Sequence, residues 1–204
     1  MRMEAPIARG KFDKEVDRIC RHQDLLRKWG CILVSTNFPC VEAIFVPLMP
    51  VVVERIVKKS FIAAPKVEHI EHHSIAGRAF GVRVHLDDFD VRAPSVTFHD
   101  PWTWELAPYR NLPQGHHADA DGYLRPVVID DHPVFRRPFL CLPGTREYHE
   151  HPQHSGTDWF SRRHNFGLFA IMEMIAVTCC TMCRPRIAFP EPQTVKIDWI
   201  GWRE

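Results

Sequence analysis

The segment GRAFGVRVHLDDFDVRAPSVTF, from Gly77 to Phe98, constrains the fold more than any other part of the chain. Its apolar residues alternate with smaller or polar ones at Phe80, Val82, Val84 and Leu86. A period of two is typical of a β-strand, since successive side chains point to opposite faces of a sheet. Pro94 then bends the chain before the short stretch SVTF. The segment therefore predicts two antiparallel strands joined by a turn.

Helical and strand patterns lie on either side of this segment. FDKEVDRICRHQDLLRKWG places its apolar residues roughly on one face, and Gly30 is a suitable stop, so we expect a first helix. CILVSTNFP and VEAIFVPLMPVVVERIVKK are rich in β-branched residues with turn-forming breaks, so each predicts a strand or a strand pair. NFGLFAIMEMIAVTCCTMC is too continuously apolar for a strand and predicts a largely buried helix that ends by Pro185.

Length and composition favour one globular domain over residues 1–204. The chain has 204 residues, of which 45% are hydrophobic and 25% charged, so it can bury a sizeable core. The stretch from about 99 to 131 is dense in Pro, Gly and Asp with little periodicity, which predicts a long inserted surface loop. The tail from about 185 to 204 is interpreted as a C-terminal extension, either a closing strand or a lid over the core.

Charge and cysteine content limit the classes of partner and compartment. The formal net charge is +1, with 26 basic and 25 acidic residues, which gives no electrostatic reason to expect nucleic acid or an anionic membrane as partner. Seven cysteines, an odd and scattered number, do not resemble a secreted disulfide framework. The N-terminus lacks the apolar core of a signal peptide, and Pro47 and Pro50 interrupt the longest apolar run. We expect a soluble cytoplasmic protein.

The stretch CLPGTREYHEHPQHSGTDW, from Cys141 to Trp159, concentrates the residues that could carry chemistry. Cys141 leaves an apparent strand, PFLC, and enters a Pro-Gly turn, where its side chain can face solvent at a loop mouth. An accessible thiolate can accept an acyl group as a thioester that stays reactive. The other six cysteines mostly lie in apolar or helical contexts, which favour burial as small hydrophobic residues.

Histidines near Cys141 suit the second half of such a reaction. Transfer out of a thioester creates an oxyanion and takes a proton from the acceptor, so it needs a hydrogen-bond donor and a base. His149, His151 or His154 could supply either. A histidine base would also suit a hydroxyl acceptor, which is a poor nucleophile until its proton is removed. A Cys-His hydrolase is a weaker alternative, because no Asp or Asn orienter is evident from the spacing.

The same histidines could instead bind a metal. Zinc prefers Cys and His ligands in a tetrahedron, and His149, His151 and His154 are two and three positions apart. The candidates are nearly contiguous, however, whereas structural zinc sites draw their ligands from two separated clusters. His116 and His117 in the long loop could complete a site. A solvated, hydrogen-bonded surface loop is the third interpretation.

Other conspicuous residues have simple structural interpretations. The CCTMC cluster at 179–183 could ligate a metal, but on an apolar helix core packing is favoured. The histidine pair at 72–73 is interpreted as a polar turn before the meander. Trp102 and Trp104 are expected to anchor the long loop, with a partner-binding patch as the alternative. Glu147 could be half of a surface ion pair with the arginine before it.

The order helix, meander, proline-containing turn, long loop, cysteine and helix resembles the E2 ubiquitin-conjugating family. That family has a strand, a turn with an aromatic residue and a proline, and a short strand ending in Phe. VRVHLDDFDVRAPSVTF matches this pattern, with Phe89 at the aromatic position and Pro94 at the proline position, and with Val96 and Phe98 on the second strand.

The downstream part of the resemblance centres on the cysteine. The E2 family carries His-Pro-Asn about ten residues before its catalytic cysteine and a tryptophan after it, ahead of a helix. Here His132 and Pro133 precede Cys141, and Trp159 follows it. Val134 stands at the Asn position, so a nearby histidine could replace the missing amide as the group that stabilises the intermediate. The resemblance covers roughly residues 12–178, with a loop between 98 and 132 that is longer than usual.

REYHEHPQH is also similar to a predicted metal-binding family of bacterial ubiquitin-like operons, named for Cys, Glu, His and His. By that similarity the four residues are Cys141, Glu147 and two of the three histidines at 149, 151 and 154. The metal interpretation therefore takes its candidate ligands from Cys141, Glu147, His149, His151 and His154.

Together the resemblances imply an α/β (α+β) fold of the E2-like type, an antiparallel β-meander with flanking helices. They imply an enzyme that accepts a ubiquitin-like protein as a thioester on Cys141 and transfers it, with His132, His149 and His154 as the candidate catalytic histidines. The implied partners are a ubiquitin-like protein, a ThiF-type (E1-type) adenylating enzyme and a metal-dependent deconjugating peptidase. The chemistry requires no cofactor. The alternative is a non-enzymatic zinc-binding or scaffold protein on the same fold.

Overall fold

A computed structural model describes residues 4–57, 66–76, 78–113, 116–118, 124–154, 159–181 and 195–199. The α-helices are α1 (Ala5–Arg21), α2 (Gln23–Lys28), α3 (Arg146–His149), α4 (Trp159–Arg162) and α5 (Leu168–Ile175). The strands are β1 (Cys31–Ser35), β2 (Cys40–Phe45), β3 (Leu48–Val57), β4 (Lys66–Ala76), β5 (Phe80–His85), β6 (Ser95–His99), β7 (His116–Ala118), β8 (Leu124–Pro126), β9 (Val128–Ile129), β10 (Phe139–Leu140) and β11 (Val195–Trp199). The fold is therefore α+β, as predicted.

The N-terminal helical region is two helices rather than one. His22 leaves helical geometry between α1 and α2, with φ −113° and ψ 23°. Gly30 ends the region as predicted: its φ is +74°, in the left-handed region that glycine tolerates, and a Cβ there would lie 2.2 Å from the Val46 carbonyl oxygen. The chain can therefore turn directly from α2 into β1.

A four-stranded antiparallel sheet, in the order β1-β2-β5-β6, forms the centre of the fold. The predicted hairpin is confirmed, because β5 pairs with β6 in a register that places Val82 opposite Phe98 and Val84 opposite Val96. The alternation also holds, since Phe80, Val82 and Val84 are all buried in the core. This sheet sets the position of β6, on which the candidate site rests.

A second sheet has the order β11-β3-β4, and its strands β3 and β4 lie between β2 and β5 in the chain. The histidine pair at 72–73 lies in β4, where His72 is opposite Val52 and His73 is opposite Val51. The prediction of a polar turn there was wrong, because the backbone of these residues pairs with β3. β11 pairs with β3 as well, so the described part of the C-terminal extension is a closing strand.

The core lies between α1, the inner face of the four-stranded sheet and α5. α1 contributes Phe12 and Ile19, and α5 contributes four fully buried residues, Leu168, Ile171, Met172 and Ile175. The predicted buried helix is thus confirmed, and it continues as a π-helical turn over Ala176–Thr181. Cys179 and Cys180 are buried in this core, whereas Cys183 lies outside the described residues.

The segment from 99 to 131, which was predicted to be a long surface loop, is partly buried. Four of its apolar residues are buried: Ala107, Leu112, Val127 and Val128. Trp104 anchors the segment as expected, with its ring 5.9 Å from that of His99, whereas Trp102 is 81% exposed. β7 pairs with β8, and β9 pairs with β10, so the chain is led back to the sheet just before Cys141.

Within the described part of the chain, no helix is both long enough and apolar enough to cross a bilayer.

Candidate active site

Cys141 follows β10 and lies half-buried at the start of the Pro143–Gly144 turn. Gly144 makes this turn possible: its φ is +97°, and a Cβ there would meet the Phe166 ring at 2.5 Å. The Cys141 Sγ atom is 3.0 Å from Nε2 of His154, a hydrogen-bond distance for sulfur. The structure therefore brings together the predicted nucleophile and one of the three histidines proposed as its base.

The protonation states of this pair follow from its environment. Burial raises the pKa of the Cys141 thiol above its ordinary value. Burial also lowers the pKa of His154, and the neighbouring charges of His151 and His149 lower it further. At neutral pH the pair is therefore a thiol and a neutral imidazole, with the thiol donating to Nε2. In this geometry a proton can pass from sulfur to nitrogen as the sulfur attacks.

His154 is held in place by a short helix and a ring stack. Thr145 caps α3, where its Oγ1 accepts a hydrogen bond from the Tyr148 amide. The Tyr148 ring then stacks on His154, with 4.1 Å between centroids and 19° between planes. The His154 amide donates to the carbonyl oxygen of His151 at 2.9 Å, which closes a 3₁₀ turn. The imidazole therefore has a defined orientation toward Cys141.

Glu147 fixes α3 to the sheet from a fully buried position. Its Oε1 accepts hydrogen bonds from Ser95 Oγ at 2.5 Å and Arg137 Nη2 at 2.8 Å, and its Oε2 accepts one from the Val96 amide at 3.0 Å. The proposed surface ion pair between Glu147 and Arg146 is therefore wrong. Arg146 binds Asp87 instead, at 3.0 Å. A carboxylate with both oxygens engaged is also a poor candidate for a metal ligand.

His132 is fully buried, and both of its ring nitrogens bind the backbone. Nδ1 accepts from the amides of Val134 and Phe135, at 3.0 and 3.2 Å. Nε2 lies 2.8 Å from the carbonyl oxygen of Glu147, so it carries the proton and donates. We therefore assign His132 a positioning role: it ties the turn that contains Val134 to Glu147 in α3.

The other two predicted histidines border the pair. The His151 ring lies 5.4 Å from that of His154 and 5.3 Å from that of His132. Burial, followed by the charge of His132, lowers the pKa of His151. The His149 ring packs 5.6 Å from Trp159, the residue that begins α4. These four histidines thus form one cluster, and His154 is the member that contacts the thiol at 3.0 Å.

The described side chains offer no group of three or more His, Cys, Asp or Glu residues that could hold a metal ion. Cys141 and His154 are in contact, but Glu147 is engaged with β6 and Arg137. The side chains of His116 and His117 lie outside the described residues. The contact between Cys141 and His154 has the geometry of a proton-transfer pair.

Several functional positions were not anticipated from the sequence. Tyr148, Ser95 and Arg137 were unremarkable there, and only the aromatic character of Tyr148 beside three histidines could have drawn notice. A second thiol–imidazole contact was also missed: Cys40 Sγ lies 3.1 Å from His85 Nδ1. The expectation that the other cysteines are mostly buried holds for Cys31, Cys179 and Cys180, but Cys40 is half-buried and Cys20 is exposed.

The site and the sheet define an α+β domain that carries a half-buried thiol–imidazole pair at the end of a short edge strand. The profile of the Y4jH-like family matches residues 3–116 and 125–178 of this chain. The chain belongs to the Y4jH-like family, and the matched ranges include both Cys-His contacts. A Sinorhizobium fredii (strain NBRC 101917 / NGR234) protein, named Uncharacterized protein y4jH, is 27% identical over 184 residues, which cover 79% of this chain and 75% of that relative.

Proposed function

We propose that this protein is an E2-like conjugating enzyme, in which Cys141 carries a ubiquitin-like protein as a thioester. The observation that carries the proposal is the 3.0 Å contact between Cys141 Sγ and His154 Nε2 at the mouth of a loop. A nucleophile paired with a base and held by a third group is the arrangement that covalent catalysis requires. Here the third group is the Tyr148 ring, stacked on His154.

The proposed acylation step needs only Cys141, His154 and the incoming thioester. Sγ attacks the carbonyl carbon of an incoming thioester, and its proton passes to Nε2 of His154. The new C–S bond forms as the donor's C–S bond breaks, and the donor leaves as a thiolate that takes up the proton. No cofactor is required. The proposed donor is a ThiF-type adenylating enzyme, and a metal-dependent deconjugating peptidase would reverse the modification.

The arrangement of the residues that carry the E2 resemblance supports this proposal. Phe89 lies in the turn between β5 and β6, and its ring packs 6.4 Å from that of Trp159. His132 holds the turn that contains Val134 against α3, as described above. Phe89 and His132, which are distant in the sequence, thus both border the candidate site. Both the resemblance and the contacts of Cys141 support its proposed role as the thioester carrier.

The test is reconstitution of the full chain with a ubiquitin-like protein and an adenylating enzyme from the same gene neighbourhood, with ATP. We expect a higher-mass adduct on a non-reducing gel that disappears with dithiothreitol and with Cys141→Ala, and persists with Cys40→Ala. An adduct that is unaffected by Cys141→Ala would overturn the proposal. The zinc-binding or scaffold alternative predicts no adduct and a stoichiometric metal by elemental analysis of the same preparation.

A further inference from the structure

Four acidic residues near the candidate pair, among those that the structure describes, are matched by basic ones. Glu147 and Glu150 belong to the chain between Cys141 and His154, Asp87 contacts α3, and Asp90 follows Phe89. Their partners are Arg137 for Glu147 at 2.8 Å, Arg92 for Glu150, Arg146 for Asp87 at 3.0 Å, and Lys11 and Arg163 for Asp90. None of these four carboxylates is therefore available to attract a second cation.

The charged groups that act on the base are themselves histidines. The charges that act on His154 come from His151 and His149, and those that act on His151 come from His132. A lysine ammonium that approaches Cys141 would meet imidazoles and compensated carboxylates. None of these four carboxylates would supply the uncompensated negative charge that favours an ammonium at that position.

A neutral hydroxyl has the opposite requirements. It needs no negative charge nearby, but it needs a base to remove its proton before it can attack a thioester. Because burial lowers the pKa of His154, its imidazole is available as a base at neutral pH. An amine needs no such base once it is deprotonated, but only about one lysine side chain in a few thousand is neutral at pH 7.

We propose that the acceptor is a hydroxyl group, such as that of serine, threonine or a polyol, rather than a lysine amine. This inference rests on the proposed thioester role of Cys141. The hydroxyl oxygen attacks the thioester carbonyl carbon, the C–O bond forms and the C–S bond breaks. The hydroxyl proton passes to Nε2 of His154 and then to the departing Cys141 thiolate. The product is an ester, and the thiol–imidazole pair is restored.

The experiment uses the full chain with Cys20→Ser, which removes an exposed thiol outside the site. The protein is acylated with the mercaptoethanesulfonate thioester of acetyl-Gly-Gly and desalted. It is then given equal concentrations of glycerol, N-acetylserine amide or N-acetyllysine amide, and discharge is followed by intact mass. At pH 7 we expect the hydroxyl acceptors to discharge Cys141 about tenfold or more faster than the lysine. A faster discharge to lysine at pH 7 overturns the acceptor inference and leaves the thioester role standing.

A variant and a pH series separate this inference from the proposed function. His154→Gln should slow discharge to hydroxyls about 100-fold, while discharge to lysine at pH 9 changes by less than about threefold. Equal losses for both acceptors overturn the inference. If His154→Gln does not fold, the acceptor ratio of the His154-containing protein decides alone. Failure to acylate Cys141 at all overturns both the thioester role and the acceptor.

Discussion

Two thiol–imidazole contacts occur among the residues that the structure describes, and they are alike in distance and in the direction of their pKa shifts. Cys141 Sγ lies 3.0 Å from His154 Nε2, and Cys40 Sγ lies 3.1 Å from His85 Nδ1. Burial raises the pKa of both thiols and lowers the pKa of both imidazoles. A short Cys-His contact is therefore not enough to identify a nucleophile.

The two cysteines differ in backbone and in neighbouring charge. Cys40 and His85 are opposite each other in the β2–β5 ladder, and β2 is also paired with β1 on its other side. The pKa of Cys40 further responds to the charges of Arg83, Glu42 and Asp87. Cys141 instead follows a two-residue strand and enters the Pro143–Gly144 turn. Both sulfurs are half-buried, so the proposal that Cys141 is the catalytic thiol and Cys40 a structural one rests on this difference in backbone context.

The largest contrast that we expect concerns the carboxylates beside each pair. Glu147→Ala removes a buried carboxylate and leaves Arg137 and the Val96 amide without their acceptor, so it should lower the free energy of unfolding by about 3 kcal/mol. Glu42→Ala breaks a partly exposed pair with Arg83 and should cost about 1 kcal/mol or less. Urea unfolding of both variants measures the difference. Equal losses would mean that α3 does not depend on Glu147.

Substitution of His154 and of His85 should affect the rate of Cys141 acylation differently. His154→Gln removes the base and should slow acylation of Cys141 by acetyl-Gly-Gly thioester about 100-fold. His85→Gln is the matched control and should leave that rate within about twofold, since His85 contacts Cys40 instead. Intact mass against time gives both rates. A large loss with His85→Gln would show that the two pairs are coupled.

Tyr148 should have a smaller effect, because it acts through His154. Tyr148→Leu removes the stack and should slow acylation about fivefold, while Tyr148→Phe keeps the ring and should retain the rate. The pH at which the rate reaches half its plateau should shift with Tyr148→Leu and not with Tyr148→Phe. If Phe and Leu behave alike, the ring stack does not orient the base.

Acid should reveal the lowered histidine pKa that the two pairs share. Burial holds the pKa of His85 and His154, and of His99 and His151, below the ordinary value of 6.5. The unfolded chain therefore binds protons first as the pH falls below about 6.5, which favours unfolding. The stabilising contribution is complete above that pH and is lost toward the lowered pKa values. Melting temperatures between pH 5 and 8 should rise with pH and level off near neutrality, whereas a flat profile would contradict the assignment.

Much of the fold could be predicted because it depends on local patterns. The alternation from Phe80 to Leu86 predicted β5, and the continuous apolar run predicted α5. The break at His22 could not be predicted, since the helical pattern continues across it. The burial of Leu112 and Val128 in the 99–131 segment was also not predicted, because it depends on packing against distant elements.

The candidate site was predictable in composition but not in geometry. Cys141 could be chosen from its turn, but three histidines within six residues were equivalent by spacing. Only the 3₁₀ turn and the Tyr148 stack select His154. Glu147 was misjudged because its partners Ser95 and Val96 are about fifty positions away, and no local pattern signals a contact at that separation.

The most direct measurement is peptide mapping of the unaltered chain after brief exposure to the acetyl-Gly-Gly thioester at pH 7. It compares Cys141 with Cys40, which has an imidazole contact within the sheet, and with Cys20, which is exposed. If His154 activates an accessible sulfur, Cys141 acquires the acyl group at least about tenfold faster than either, and dithiothreitol removes it. Faster acylation of Cys20 or Cys40, or an unmodified Cys141, would contradict the account.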